Sequence, residues 1–147
     1  MSDSLAANIT AVIPAAPDVL YEAWIDPDIL PQWLAPPPYD LVHAEVDAKV
    51  GGAYVHDVTG PDGEHRVVGK YLELTPGRHI LKNWNYSGPN PAPRPEATFV
   101  EVSFDPISDS ATRVTIRHYG LRDARERKHY QEGWEHCLAR LRALHEE

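Results

Sequence analysis

Hydrophobic and polar positions change period along the chain, and each change predicts a different element. The run "NITAVIPAAP" gathers β-branched residues into a short segment closed by Pro14 and Pro17, the pattern of a strand over residues 6 to 13 that leads into a turn. Pro17 then stands where a helix tolerates it, in the first turn. Asp18 lies beside the positive end of the dipole, and Val19, Leu20, Ala23 and Trp24 follow at helical spacing, so a helix is predicted from 17 to about 25. In "AWIDPDILPQWL" the pattern restarts. Asp26 is placed to cap a second short helix that opens at Pro27 and puts Ile29, Leu30, Trp33 and Leu34 on one face; Pro31 is read as lying inside its first turn, and "APPPYD" ends it.

From there to residue 119 the period is that of strands. The runs "YDLVHAEVD", "AYVHDVT", "EHRVVGKYLEL", "HILKNWNY", "ATFVEVSF" and "TRVTIRHYG" are separated by "KVGG", "GPDG", "TPGR", "SGPNPAPRP" and "DPISDSA", the spacing of an antiparallel meander. The last 26 residues return to helical period. There Tyr130, Trp134, Cys137, Leu138, Leu141 and Leu144 recur at intervals of three and four, which predicts one long amphipathic helix.

This order implies an α+β fold, a curved seven-stranded antiparallel sheet wrapped around the long C-terminal helix, with two short helices after the first strand. The whole of residues 1–147 is read as a single domain, because no repeat or linker divides it. A single sheet has to cover its apolar face, and the terminal helix is the only adequate cover. The helix pair is the natural plug for the end the long helix leaves open. Trp24 and Trp33 are expected to be buried there, where each ring removes about 150–250 Å² from water. Gly51, Gly52 and Gly63 are expected to take positive φ in turns, and Gly133, inside the long helix, suggests a close neighbour or a bend.

Composition narrows the function classes. With 22 acidic and 14 basic side chains the net charge is -8, and no basic run offsets it, so nucleic acid is not an expected partner. No apolar run approaches the ~20 residues of a membrane span, and the N-terminus lacks the basic flank and apolar stretch of a secretory signal, so no membrane insertion and a cytoplasmic location are expected. The single cysteine, Cys137, cannot form an internal disulfide, and on the apolar stripe of a helix it reads as a buried inert thiol. Eight histidines form no short ligand pair, no "GxSxG" is present, and neither a metal nor a cofactor is expected.

Strand parity then asks which polar groups face inward. Val114, Ile116 and His118 share one face of the last strand, and Tyr54, His56 and Val58 share one face of theirs. Placing Trp84 inward makes Lys82 an inward charge unless a bulge intervenes. A cavity lined by Trp33, Tyr54, His56, Trp84, His118, Tyr130 and Trp134 would be aromatic with a few polar handles, the usual make-up of a small-ligand pocket. The alternative for each polar member is a satisfied core residue. An inward His118 with His56, Asp57 or Tyr54 nearby could also move protons in a cyclisation or dehydration. The prolines of "SGPNPAPRP" predict a stiff extended segment at the rim or over the mouth of the cavity.

Several pieces in order, "EAWIDPDILPQWL", "VGG" at Val50 to Gly52, "PDG" at Pro61 to Gly63, "GKYLEL" at Gly69 to Leu74 and "GW" at Gly133 and Trp134, give a sequence that resembles the activator-of-heat-shock-protein-90-ATPase homologue-like family. That family belongs to the START, birch-pollen-allergen and polyketide-cyclase superfamily. The resemblance spans nearly the whole chain and implies the helix-grip fold. It implies three functions: binding of a small hydrophobic or aromatic molecule between sheet and helix, a cyclase- or dehydratase-like enzyme using pocket His and Tyr side chains, or a co-chaperone of a heat-shock ATPase. The oligomeric state is open between monomer and homodimer.

Overall fold

A computed structural model describes residues 5–89 and 97–146. Strand β1 (Leu5–Ile13) is followed by helix α1 (Pro17–Ile25) and a single 3-10 turn (Leu30–Gln32). Six strands follow: β2 (Asp40–Val46), β3 (Ala53–Gly60), β4 (Gly63–Thr75), β5 (His79–Ser87), β6 (Thr98–Ser108) and β7 (Ala111–Leu121). Helix α2 (Ala124–His145) ends the chain. The strands form one sheet in the order β1-β7-β6-β5-β4-β3-β2, and every neighbouring pair is antiparallel. The meander is interrupted once, where β1 adds to the far side of β7 and leaves β2 at the opposite edge. This is the α+β helix-grip arrangement the sequence predicts.

One predicted element changes. The second short helix reduces to the turn at Leu30–Gln32, because Pro31 falls past the first turn of a helix beginning at Pro27 and removes an N–H that the helix needs. The backbone alternates i−3 and i−4 bonds there: Ile29 and Leu30 both donate to the Asp26 carbonyl, and Trp33 and Leu34 both donate to that of Leu30. The Asp26 side chain acts ahead of the 3-10 turn, its Oδ1 accepting from the Asp28 N–H at 2.8 Å, and the turn itself has no side-chain cap. Strand β6 also runs further than its pattern suggests, through Pro106 to Ser108 with a register irregularity between those two residues, so part of "DPISDSA" is strand.

Glycine placement is more specific than turn chemistry alone. Gly51 and Gly63 take positive φ, at 83° and 120°. Gly52 does not; a Cβ there would lie 2.0 Å from the Asp47 carbonyl oxygen, so close approach of the chain excludes any side chain.

The apolar stripe of α2 turns Trp134, Cys137, Leu138 and Leu141 onto the concave face of the sheet, where they are buried with Ala7, Ile9, Val102, Phe104, Val114 and Ile116. Asp123 caps the helix, its Oδ1 accepting from the Glu126 N–H at 2.9 Å. Trp24 and Trp33 are both wholly buried. They meet edge to face at 4.7 Å, Trp24 stacks on Trp134 at 5.6 Å, and the Trp33 indole N–H donates to the Ala23 carbonyl at 3.1 Å. The two tryptophans therefore join α1, the 3-10 turn and α2 into one wall. From α2, the Cys137 thiol donates to the Leu34 carbonyl at 3.3 Å and Arg140 donates to the carbonyls of Gln32 and Ala35, which fixes the following segment, Leu34 to Tyr39, against the helix.

Candidate functional site

Strands β3, β4 and β5 curve away from α2 at their outer ends, and the gap forms a pocket of about 160 Å³. Its floor is sheet: His56 and Val58 of β3, His65 and Val67 of β4, Trp84 and Tyr86 of β5. Its roof is α2, through His129, Tyr130, Gly133, Trp134 and Cys137, and the Leu34–Tyr39 segment makes the side wall. Gly133 is the residue that keeps the roof open. A Cβ at that position would have no atom within 4 Å, so the glycine marks empty space rather than the close neighbour or bend its place in the helix suggests.

Of the seven residues expected to line a cavity, His56, Trp84, Tyr130 and Trp134 do so. Trp33 lies in the wall behind it. Tyr54 lies beyond the inner end, donating its hydroxyl to the Asn83 carbonyl at 2.6 Å. His118 is wholly buried with both ring nitrogens occupied. The Trp134 indole N–H donates to its Nδ1 at 3.0 Å, which leaves the proton on Nε2; Nε2 donates to Thr98 Oγ1 at 2.8 Å, and Thr98 donates to the Trp84 carbonyl at 3.1 Å. Burial and then the charge of Lys82 push its pKa from 6.5 to about 3, so the ring is held neutral. This chain positions the two pocket tryptophans.

The inner end of the pocket differs. His56 is 1% exposed, and neither Nδ1 nor Nε2 has a hydrogen-bond partner; the Trp84 indole N–H is likewise buried and unpaired. Burial, with the neighbouring Lys82 charge, holds the His56 pKa well below its usual value, so this ring too is neutral. Lys82 is inward: the β5–β6 register is unbroken, the irregularity beside it lies on β4 between Tyr71 and Glu73, and the residue is 1% exposed. Its amine lies 4.5 Å from the centre of the Tyr54 ring and 5.5 Å from that of Trp84, and among the described residues no carboxylate pairs with it. Burial lowers its pKa from 10.5 to about 7.

The outer end holds a cluster that strand patterns alone did not single out. The His65 Nε2–H donates to Asp62 Oδ1 at 2.8 Å, which leaves Nδ1 to accept from the Tyr86 hydroxyl at 2.6 Å, and the Tyr39 hydroxyl donates to Asp62 Oδ2 at 3.2 Å. The hydrogen bond from His65 holds the Asp62 carboxyl below its usual pKa. His65 and Tyr86 share inward parity with Val67 and Trp84, so half of the cluster was legible. Asp62 arrives from the turn "GPDG", which strand periodicity does not reach. The expected rim segment "SGPNPAPRP" enters the description only at Ser87 to Pro89; its residues 90 to 95 lie outside the described residues. No metal-binding group of three or more His, Cys, Asp or Glu side chains occurs among the described residues.

A sheet gripping one long helix over an apolar pocket is the architecture of START-like domains. Residues 14–146 match the family described as activator of Hsp90 ATPase homolog 1-like protein, and the chain belongs to that family. It is similar to a protein from Chromobacterium violaceum, at 30% identity and a TM-score of 0.81 over 97% of this chain and 99% of that one. An Hsp90 activator from Plasmodium falciparum shares the fold at 20% identity and a TM-score of 0.71, covering 95% of each chain. DynU16, from the dynemicin biosynthetic locus, shares it at 20% identity and a TM-score of 0.74 over 94% of this chain but 46% of its own. Among curated proteins none matches the sequence. No helix among the described residues is long and apolar enough to cross a membrane.

Proposed function

We propose that this protein binds a small apolar or aromatic molecule in the pocket between sheet and C-terminal helix. The observation that carries this reading is Gly133, a residue that costs a helix interior about 1 kcal/mol relative to Ala and that here opens space beside Tyr130 and Trp134. Replacing it with Leu removes the helix penalty and directs a side chain into the pocket. Gly133→Leu is expected to melt at or above the wild-type temperature and to bind toluene at least about ten-fold more weakly by calorimetric titration. Undiminished toluene binding in the variant would place the site elsewhere. Native mass spectrometry of the wild type against a metabolite extract would then identify the natural occupant.

A second reading, acid–base catalysis on the bound molecule, is favoured by the Asp62–His65–Tyr86 chain at the mouth. A carboxylate that fixes the histidine tautomer, and a histidine that accepts the proton of a pocket-lining hydroxyl, are the parts of a general base. On this reading, wild-type protein in D2O exchanges a carbon-bound proton of the pocket ligand, and Tyr86→Phe slows the exchange by about 10²–10⁴ while ligand affinity stays within a few-fold. Absence of exchange in the wild type leaves binding alone. The co-chaperone reading rests on the family's name and on that of the Plasmodium relative, whose likeness at 20% identity carries fold only.

A further inference from the structure

The pocket is mostly apolar between the His65–Tyr86 cluster at its mouth and its inner end, where the ring nitrogens of His56 and Trp84 lie buried just beneath the lining with no protein partner. A neutral His56 offers one N–H and one lone pair, and Trp84 offers one N–H. Leaving such groups dry and unpaired is costly, and each of these residues lines the pocket. Behind them the Lys82 amine is enclosed by aromatic rings with no carboxylate to balance it among the described residues.

The chemistry that fits is narrow. A carbonyl or carboxylate only accepts, so it leaves the His56 lone pair unanswered. An amine that is protonated only donates, and it would meet the Lys82 charge. A hydroxyl does both, donating to the His56 lone pair and accepting from the Trp84 N–H, which leaves the His56 N–H as the one group without an acceptor, and a nearby cation favours the more acidic hydroxyls over alkanols. The room is that of one ring, since about 150 Å³ accommodates benzene and this pocket offers 160 Å³.

We infer that the ligand is a single-ring phenol, bound hydroxyl first, with its oxygen between His56 and Trp84 and its ring against Trp134 and Val67 beneath the gap at Gly133. The inference rests on the binding reading above and specifies its ligand class. Lys82 acts behind these groups as a positioning charge rather than as a contact.

The test compares p-cresol, toluene and benzoate by calorimetric titration of the full chain. The first two differ by one hydroxyl, and benzoate carries the competing acidic group. The wild type is expected to bind p-cresol roughly ten-fold or more tighter than either of the others. His56→Phe is expected to bring p-cresol to the level of toluene measured on the same variant, and Lys82→Met to narrow the p-cresol-to-toluene ratio several-fold. Equal binding of p-cresol and toluene by the wild type, or a preference that survives in His56→Phe, overturns the inference while the apolar pocket stands. Benzoate bound tightest overturns it in favour of a carboxylate ligand. If none of the three binds, the pocket reading falls with it. Should His56→Phe fail to fold in a thermal melt, His56→Gln retains a donor and an acceptor in the same position; it is expected to keep a measurable preference for p-cresol, and a preference unchanged from the wild type or wholly lost in a folded His56→Gln overturns the hydrogen-bonding role.

Discussion

Lys82→Met is expected to stabilise the protein, and by an amount that depends on pH. The gap between the ordinary lysine value of 10.5 and the folded value of about 7, at roughly 1.4 kcal/mol per pH unit, amounts to about 5 kcal/mol of stability forgone below pH 7. The sign follows from where the proton sits. Below pH 7 the amine is charged in both states and the folded protein bears the full cost of burying it. Between 7 and 10.5 the folded amine is neutral while the unfolded one is charged, so the wild type gains stability as pH rises. Above 10.5 both are neutral and the cost is gone. The groups facing the amine are Tyr54, Tyr71, Trp24, Trp84 and His56, and its charge also reaches His118, which is held neutral. Burial raises both tyrosines and lowers His56, so all of them are neutral across this window in the folded state.

Methionine fills nearly the same volume without the charge. It forfeits cation–π attraction to the surrounding rings of about 0.5–2 kcal/mol, so a net gain of about 3 kcal/mol is expected at pH 6, shrinking toward zero or below by pH 10. Urea melts of both proteins from pH 6 to 10 measure the difference, in which the contributions of the tyrosines and of Cys137 cancel. A variant less stable than the wild type at pH 6, or a difference independent of pH, would show that the amine finds a partner that offsets its burial.

His118→Phe is expected to change stability in opposite directions on the two sides of pH 5. At neutral pH the variant loses the acceptor for the Trp134 indole N–H and the donor to Thr98, at a cost of about 1–3 kcal/mol. In acid the wild type carries a liability that the variant lacks. The folded pKa of about 3 lies below the ordinary 6.5, so the unfolded chain takes up a proton first and stability is lost as pH falls from 6.5 toward 3, by up to about 5 kcal/mol. The groups packed around the ring, Thr98, Trp84, Tyr130 and Trp134, supply no negative charge to relieve this. Denaturant melts at pH 7.5 and pH 4 should show the variant weaker at the first and level with or stronger than the wild type at the second. Parallel acid limbs would mean that His118 acquires its proton in the folded state. His56, also buried and neutral, adds to the acid sensitivity of both proteins equally.

These two residues also measure what parity can and cannot say. Alternation along β7 placed His118 on the inner face; along β5 it left two choices, and setting Trp84 inward carried Lys82 with it. All three are buried, because a strand whose other face meets water fixes the direction of every side chain at once. Parity could not tell His118 from His56. Both point inward, yet one meets Thr98 and Trp134 and is satisfied, while the other ends at a pocket with both nitrogens unpaired. That distinction depends on partners from β6 and α2, more than ten residues away in sequence.

The amino-acid sequence by itself determined the element order, the antiparallel sheet, the long amphipathic helix and the burial of Trp24 and Trp33, since periodicity, prolines and an apolar stripe are local signals that the fold has no reason to override. It misjudged the second short helix by the position of a single proline, for the cost of Pro31 depends on which turn of the helix it falls in. Only the tertiary structure decided that Gly133 faces empty space, that Asp62, His65 and Tyr86 meet at the pocket mouth, and that Tyr54 and Trp33 stand behind the pocket wall. Those facts belong to the gap between two elements, and a gap is set by how far a curved sheet departs from a straight helix, a distance that no single segment of the chain encodes.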